Sequence, residues 1–164
     1  MTRLVLVGLP GTGKSEVARV LASQWGVEAL DTDDVVRDAT GETPAEIIRT
    51  RGEDAFRDLE ETALGSCLER DAVVATGGGI VERAVNRAAL AHELTVWLDA
   101  PDDVILLRLI AGDRPLLGED PRRALALLRA RRLDWYAQVA RVRVDASGTP
   151  GEVASAVRRG MMSA

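Results

Sequence analysis

Gly8-Leu9-Pro10-Gly11-Thr12-Gly13-Lys14-Ser15 is the stretch that decides the fold. It fits the pattern G-x-x-x-x-G-K-[S/T] at every fixed position, and its flanks supply the setting the pattern requires. On one side, Arg3 to Gly8 (RLVLVG) reads as a short buried strand. On the other, Val17, Leu21 and Trp25 recur at four-residue spacing with Val20 beside them, one face of a helix from about Lys14 to Trp25. In such a unit the glycines let backbone N–H groups turn toward phosphate oxygens, and the helix points its positive end at the same place. Lys14 then reaches the β- and γ-phosphates of a nucleotide, and the Ser15 hydroxyl can ligate Mg2+. Gly11, Thr12, Gly13 and Glu16 belong to the same nucleotide-binding turn.

Composition singles out the same lysine. The chain has twenty arginines and one lysine, and that lysine is Lys14. Arginine replaces lysine readily on a solvated surface, but its planar guanidinium is too wide where a compact charge on a slim stem is needed.

Working outward, Val27 to Leu30 is a second strand ending at Asp31. Helical segments follow at about Asp33 to Ala39, Pro44 to Arg51 and Asp54 to Leu68, the last with Phe56, Leu59, Ala63 and Cys67 as its apolar stripe. Asp71 to Thr76 is a strand running into Gly77-Gly78-Gly79, and a helix begins near Val81. Leu94 to Leu98 is a strand, and a helix spans about Asp102 to Ile110. Residues 111–121 carry too much glycine and proline for regular structure and read as a mobile lid. Asp120 as N-cap and Pro121 in the first turn open a helix to about Val139. Val142 to Asp145 is a last strand and Pro150 to Met161 a last helix. Five short apolar strands alternating with helices predict an α/β fold: three layers, α/β/α, around a five-stranded parallel sheet. No linker divides the chain, so residues 1–164 are expected to form one domain.

A net charge of −5 argues against general nucleic-acid binding, and no apolar run approaches the roughly 20 residues needed to cross a bilayer. The start does not read as a signal peptide, and the single cysteine, Cys67, cannot form an internal disulfide; both fit a cytoplasmic protein. His92, the only histidine, reads as a surface residue at the start of a strand.

The phosphate loop does not choose an acceptor. Asp31-Thr32-Asp33-Asp34 lies at a strand's carboxyl end, where open α/β sheets bind ligands. One of these carboxylates can help hold Mg2+ (Asp31), and another can accept a hydrogen bond from a substrate hydroxyl (Asp33). The competing reading is a helix N-cap supplied by Asp33-Asp34. Arg57 and Glu61 stand four residues apart, the spacing of a solvated helix pair, and Arg131-Arg132 read by default as surface charges. Three consecutive glycines after a strand mark a close approach of backbone to a ligand. Arg114 sits on the Gly-flanked loop, where a lid arginine can close on phosphates.

Taken together, LVGLPGTGKS, LDTD, GEDAFRDLEE, TGGG, DRPLL and RRLDWYAQVA resemble the shikimate kinase family in order and spacing over nearly the whole chain. The resemblance implies ATP and Mg2+ as cofactors and shikimate as the acceptor. It places Asp33 on the ring hydroxyls, Arg57 and Arg132 on the carboxylate, and the backbone of Gly78 and Gly79 against the substrate. Arg114 becomes the lid arginine, Lys14 and Asp33 are catalytic with it, and Arg108 and Pro150 flank the adenine. A monomer is expected. The alternatives are a kinase for gluconate or another small hydroxylated acid, or an ATP-binding regulator that transfers nothing.

Overall fold

The computed structural model describes residues 1–112 and 118–163. Five parallel strands form one sheet in the order β2-β3-β1-β4-β5. They are β1 (Leu4–Val7), β2 (Glu28–Asp31), β3 (Ala72–Ala75), β4 (Thr95–Asp99) and β5 (Val142–Asp145). The central strands β1, β3 and β4 are buried along their whole length, which is why their sequences are continuous apolar runs and not alternating ones. Register aligns the carboxyl ends: Leu6 pairs with Ala75 and Val96, and Asp31 also pairs with Ala75.

Helices α1 (Lys14–Trp25) and α8 (Pro150–Met162) pack together on one side of the sheet. Helices α4 (Glu53–Leu68), α5 (Ala84–Ala91) and α7 (Pro121–Val139) cover the other, and α2 (Thr32–Thr40) and α3 (Pro44–Arg51) lean on α4. Helix α6 (Asp102–Ala111) packs against α7. The three-layer reading is therefore observed, with boundaries within a few residues of those expected.

Local chemistry accounts for the boundaries. Thr43 with Glu46 and Thr149 with Glu152 form capping boxes with proline in the first turn of α3 and α8. Asp120 caps α7 by accepting from the Arg123 N–H at 3.0 Å. Three expectations are corrected. The cap of α2 is Asp31 and not Asp33-Asp34: its Oδ1 accepts from the Asp33 N–H at 2.9 Å, so the helix starts at Thr32. The helix expected near Val81 is a 3-10 turn (Ile80–Glu82), and α5 begins only at Ala84. His92 is exposed as expected, but it ends α5 and does not start β4. Cys67 is 1% exposed in the core, and burial pushes its thiol up to about 11. The segment expected as a lid is framed by Ala111, the last residue of α6, and Pro121, the first of α7; Arg114 lies outside the described residues.

Candidate active site

Two loops meet at the carboxyl ends of β1, β2 and β3. The phosphate loop runs from Gly8 to Ser15. A Cβ on Gly8 would sit 2.2 Å from the Leu98 carbonyl oxygen, so only glycine lets the chain leave β1 against β4. Gly13 has φ 84°, the left-handed conformation that turns the loop into α1. The buried Lys14 ammonium donates to the carbonyls of Gly8 (2.8 Å) and Leu9 (2.9 Å), which lays its stem across the loop. Thr12 Oγ1 donates to Leu9 O at 2.9 Å and stiffens the same turn. Ser15 Oγ donates to Asp31 Oδ2 at 2.5 Å, so one aspartate joins the phosphate loop to the end of β2. Glu16 is exposed in the first turn of α1.

Gly77-Gly78-Gly79 forms the second loop, and its glycines have a steric reason. A Cβ on Gly77 would meet Glu60 Oε1 at 2.7 Å and Asp33 Oδ1 at 2.8 Å. On Gly78 it would meet Pro10 Cδ at 2.8 Å and Arg132 Nη1 at 3.2 Å. On Gly79 it would lie 2.3 Å from Arg57 Nη1. Asp33 from α2, Arg57 and Glu60 from α4, and Arg132 from α7 thus converge on three successive backbone positions. The Gly77 N–H is held by the fully buried Thr32 Oγ1 at 2.9 Å.

Spacing alone gives Arg57 and Arg132 as solvated surface charges, and that default does not hold: they are 9% and 6% exposed, at the positions the resemblance assigns to the acceptor's carboxylate. Arg57 does not pair with Glu61. Its Nη1 donates to Glu60 at 2.6 Å and its Nη2 to Glu53 at 3.3 Å, while Glu61 accepts from Arg83. Arg132 donates to Glu82, and Tyr136, one turn along α7, donates its hydroxyl to Gly78 O at 2.5 Å. Asp34 is a surface partner of Arg37 at 2.6 Å. Glu60 is 1% exposed, and burial pushes its carboxyl up against the opposing pull of Arg57. Glu60, Glu82 and Tyr136 escape the sequence reading. An acid three residues after Arg57 is a weak signal for the first, and only the packing of α7 on the glycine loop reveals the other two.

Arg108 bridges the far side of the phosphate loop. Its guanidinium donates to Gly11 O at 3.5 Å and to the carbonyls of Ser147 and Gly148, each at 3.1 Å, just before Pro150 opens α8. A separate cavity of about 740 Å3 opens between Asp99, Asp102, Arg129 and Arg143 and shares no residue with either loop. Its arginines are already engaged, Arg129 with Asp99, Asp102 and Ala100 O and Arg143 with Asp99.

A complete phosphate loop beneath a second loop of convergent arginines and carboxylates, on a sheet of order 2-3-1-4-5, defines a P-loop kinase. The family described as Shikimate kinase matches residues 10–161, and the chain belongs to that family. It is 40% identical over 164 residues to the shikimate kinase of Nostoc sp., covering 98% of this chain and 91% of that one. It is 46% identical over 154 residues to that of Frankia casuarinae, covering 92% and 68%. Among solved structures, shikimate kinase from Acinetobacter baumannii in complex with shikimate superposes with TM-score 0.87 at 34% identity, over 97% of this chain and 90% of that one. A gluconokinase from Sinorhizobium meliloti, 18% identical with TM-score 0.59, shares the fold alone.

Proposed function

We propose that this protein moves the γ-phosphoryl group of ATP to the 3-hydroxyl of shikimate, giving shikimate 3-phosphate on the route to aromatic amino acids. The observation that carries the reading is the convergence of Asp33, Arg57 and Arg132 on the three-glycine loop beside the phosphate loop. An acid bearing ring hydroxyls needs cations for its carboxylate and an acceptor for the hydroxyl that attacks. Arg57 and Arg132 are the cations, and the backbone of Gly78 and Gly79 meets the ring. Asp33 accepts the hydrogen bond of the attacking hydroxyl and orients it toward the phosphate.

Lys14, with the N–H groups of Gly11, Thr12, Gly13 and the first turn of α1, stabilises the charge on the transferring phosphoryl group. Arg108 and Pro150 flank the adenine, and Arg114, outside the described residues, is the further cation for the phosphates. The Ser15 and Asp31 oxygens, already in contact, are the hard donors that Mg2+ prefers. Among the described residues no group of three or more His, Cys, Asp or Glu side chains is placed to hold a metal, which suits an ion that keeps waters and binds mainly phosphate. When bound, Mg2+ neutralises phosphate charge. No described helix is long and apolar enough to cross a membrane. A single-domain cytoplasmic monomer is part of the proposal.

A coupled ADP-release assay with Mg-ATP and shikimate, gluconate or no acceptor tests it. Turnover with shikimate alone is expected. Turnover with gluconate, or tight ATP binding without turnover on either acid, overturns it in favour of another acceptor or a regulatory role.

A further inference from the structure

Each of the two buried arginines at the glycine loop already holds a resident carboxylate. Arg57 pairs with Glu60 at 2.6 Å, and Arg132 gives Nε (2.9 Å) and Nη2 (2.8 Å) to Glu82 Oε1. Glu82 ends the 3-10 turn that follows Gly79, and its side chain is as buried as that of Arg132, both 8% exposed. Exposed Arg131 fixes its second oxygen at 2.7 Å. A guanidinium has two edges that can take a carboxylate, Nε with Nη2 and Nη1 with Nη2. Glu82 occupies the first. Nη1, on the second, faces Gly78. Each buried cation thus has a buried anion beside it before any ligand arrives, and an incoming carboxylate must share Arg132 with an anion that is part of the chain.

We propose that Glu82 sets the acceptor affinity of the site, as a built-in carboxylate that competes with the acceptor's carboxylate for Arg132. The inference rests on the reading of Arg132 as a binder of that carboxylate. Like charges across one guanidinium repel, so Glu82 lowers the affinity of every anion for this site. A simple carboxylate has nothing to set against that penalty. An acid whose hydroxyls also reach Asp33 and the glycine backbone does, so it still binds at concentrations where a simple carboxylate leaves the site empty. Losing Glu82 leaves a buried arginine uncompensated, which destabilises the empty protein, and a bound carboxylate relieves the defect. Stability and acceptor affinity therefore move in opposite directions. If Glu82 were only a scaffold for Arg132, both would fall together.

The test uses Glu82→Gln, which keeps the shape and removes the charge, with Glu82→Asp as a second variant that draws the charge back by one methylene. For Glu82→Gln the shikimate KM is expected to fall at least about threefold with kcat within about twofold. The ligand-free Tm falls, the Tm increment given by saturating shikimate grows, and benzoate becomes a stronger competitive inhibitor. Glu82→Asp shifts in the same direction by less. In the Arg132→Ala background the two carboxylates still repel, so Glu82→Gln again lowers the acceptor KM. A shikimate KM that stays level or rises in Glu82→Gln overturns the inference. An Arg132→Ala variant with an unaltered shikimate KM sinks instead the carboxylate reading beneath it, so the two failures are separate.

Discussion

The Tyr136 hydroxyl donates to the Gly78 carbonyl at 2.5 Å and ties the middle of the three-glycine loop to helix α7. The ring is 1% exposed and packs against Trp97 with centroids 5.8 Å apart, so it is fixed from below by the sheet. Burial raises its pKa, so the hydroxyl stays a donor at any working pH. Tyr136→Phe leaves the packing and strips the carbonyl of its partner. A loss of about 1–3 kcal/mol in stability follows, the cost of an unsatisfied buried acceptor. On the proposed reading, in which the Gly78 backbone meets the acceptor, the shikimate KM should rise while the ATP KM holds. Chemical denaturation and the two KM values check this, and equal rises in both would place the effect elsewhere.

Gly79→Ala tests whether the glycine loop is a steric requirement. A methyl there would sit 2.3 Å from Arg57 Nη1 and 2.6 Å from its Cζ, so the guanidinium must leave its place between Glu60 and the loop. The phosphate loop is untouched. Acceptor affinity should drop at least about tenfold, the scale of a misplaced charged hydrogen bond, with ATP binding unchanged by calorimetry. Normal acceptor binding in this variant would mean that Arg57 does not work from the position it holds here.

The sheet is legible in the sequence because the central strands β1, β3 and β4 are continuous apolar runs, and α3, α7 and α8 carry their own side-chain caps and an early proline. Lys14 and Ser15 are legible for a similar reason: the phosphate loop is local, and its chemistry is written in consecutive residues. The acceptor half is not local. Arg57 looks like half of a solvated i, i+4 pair, and only the approach of the glycine loop converts it into a buried cation held by Glu60. Arg132 looks like one of a run of surface arginines, and its burial depends on Glu82, 50 residues away. Neither residue's periodicity encodes these partners. The resemblance to a family carries both arginines to the site, but not the glutamates that hold them.

Arginines that bind the acceptor and groups that serve the transferring phosphoryl should separate in steady-state kinetics. Arg57→Ala and Arg132→Ala remove ground-state binding, so the shikimate KM is expected to rise about 30-fold or more, with a smaller change in kcat. Lys→Arg exchange logic runs in reverse here: Arg57→Lys should not rescue, because one ammonium cannot reproduce a fork shared between Glu60 and a ligand. Lys14→Ala and Asp33→Asn should instead depress kcat by about 100-fold or more. A near-normal kcat for Asp33→Asn would leave Asp33 at most an orienting role.

The buried Glu60 makes a statement about pH. Burial raises its carboxyl in the folded protein, more than Arg57 and Arg132 pull it down. The folded state therefore holds a proton on this group at pH values where the unfolded chain, with a carboxyl near about 4.3, has released it. Stability from this source is fully present below the unfolded value and is lost as pH rises through the raised folded value. Glu60→Gln cannot titrate, so its stability should vary less between about pH 4 and pH 7 than that of the parent protein. Thermal unfolding of both across that range gives the comparison. Two parallel curves would show that Glu60 stays ionised throughout, with Arg57 winning over burial; a steeper fall with rising pH in the parent would show burial winning.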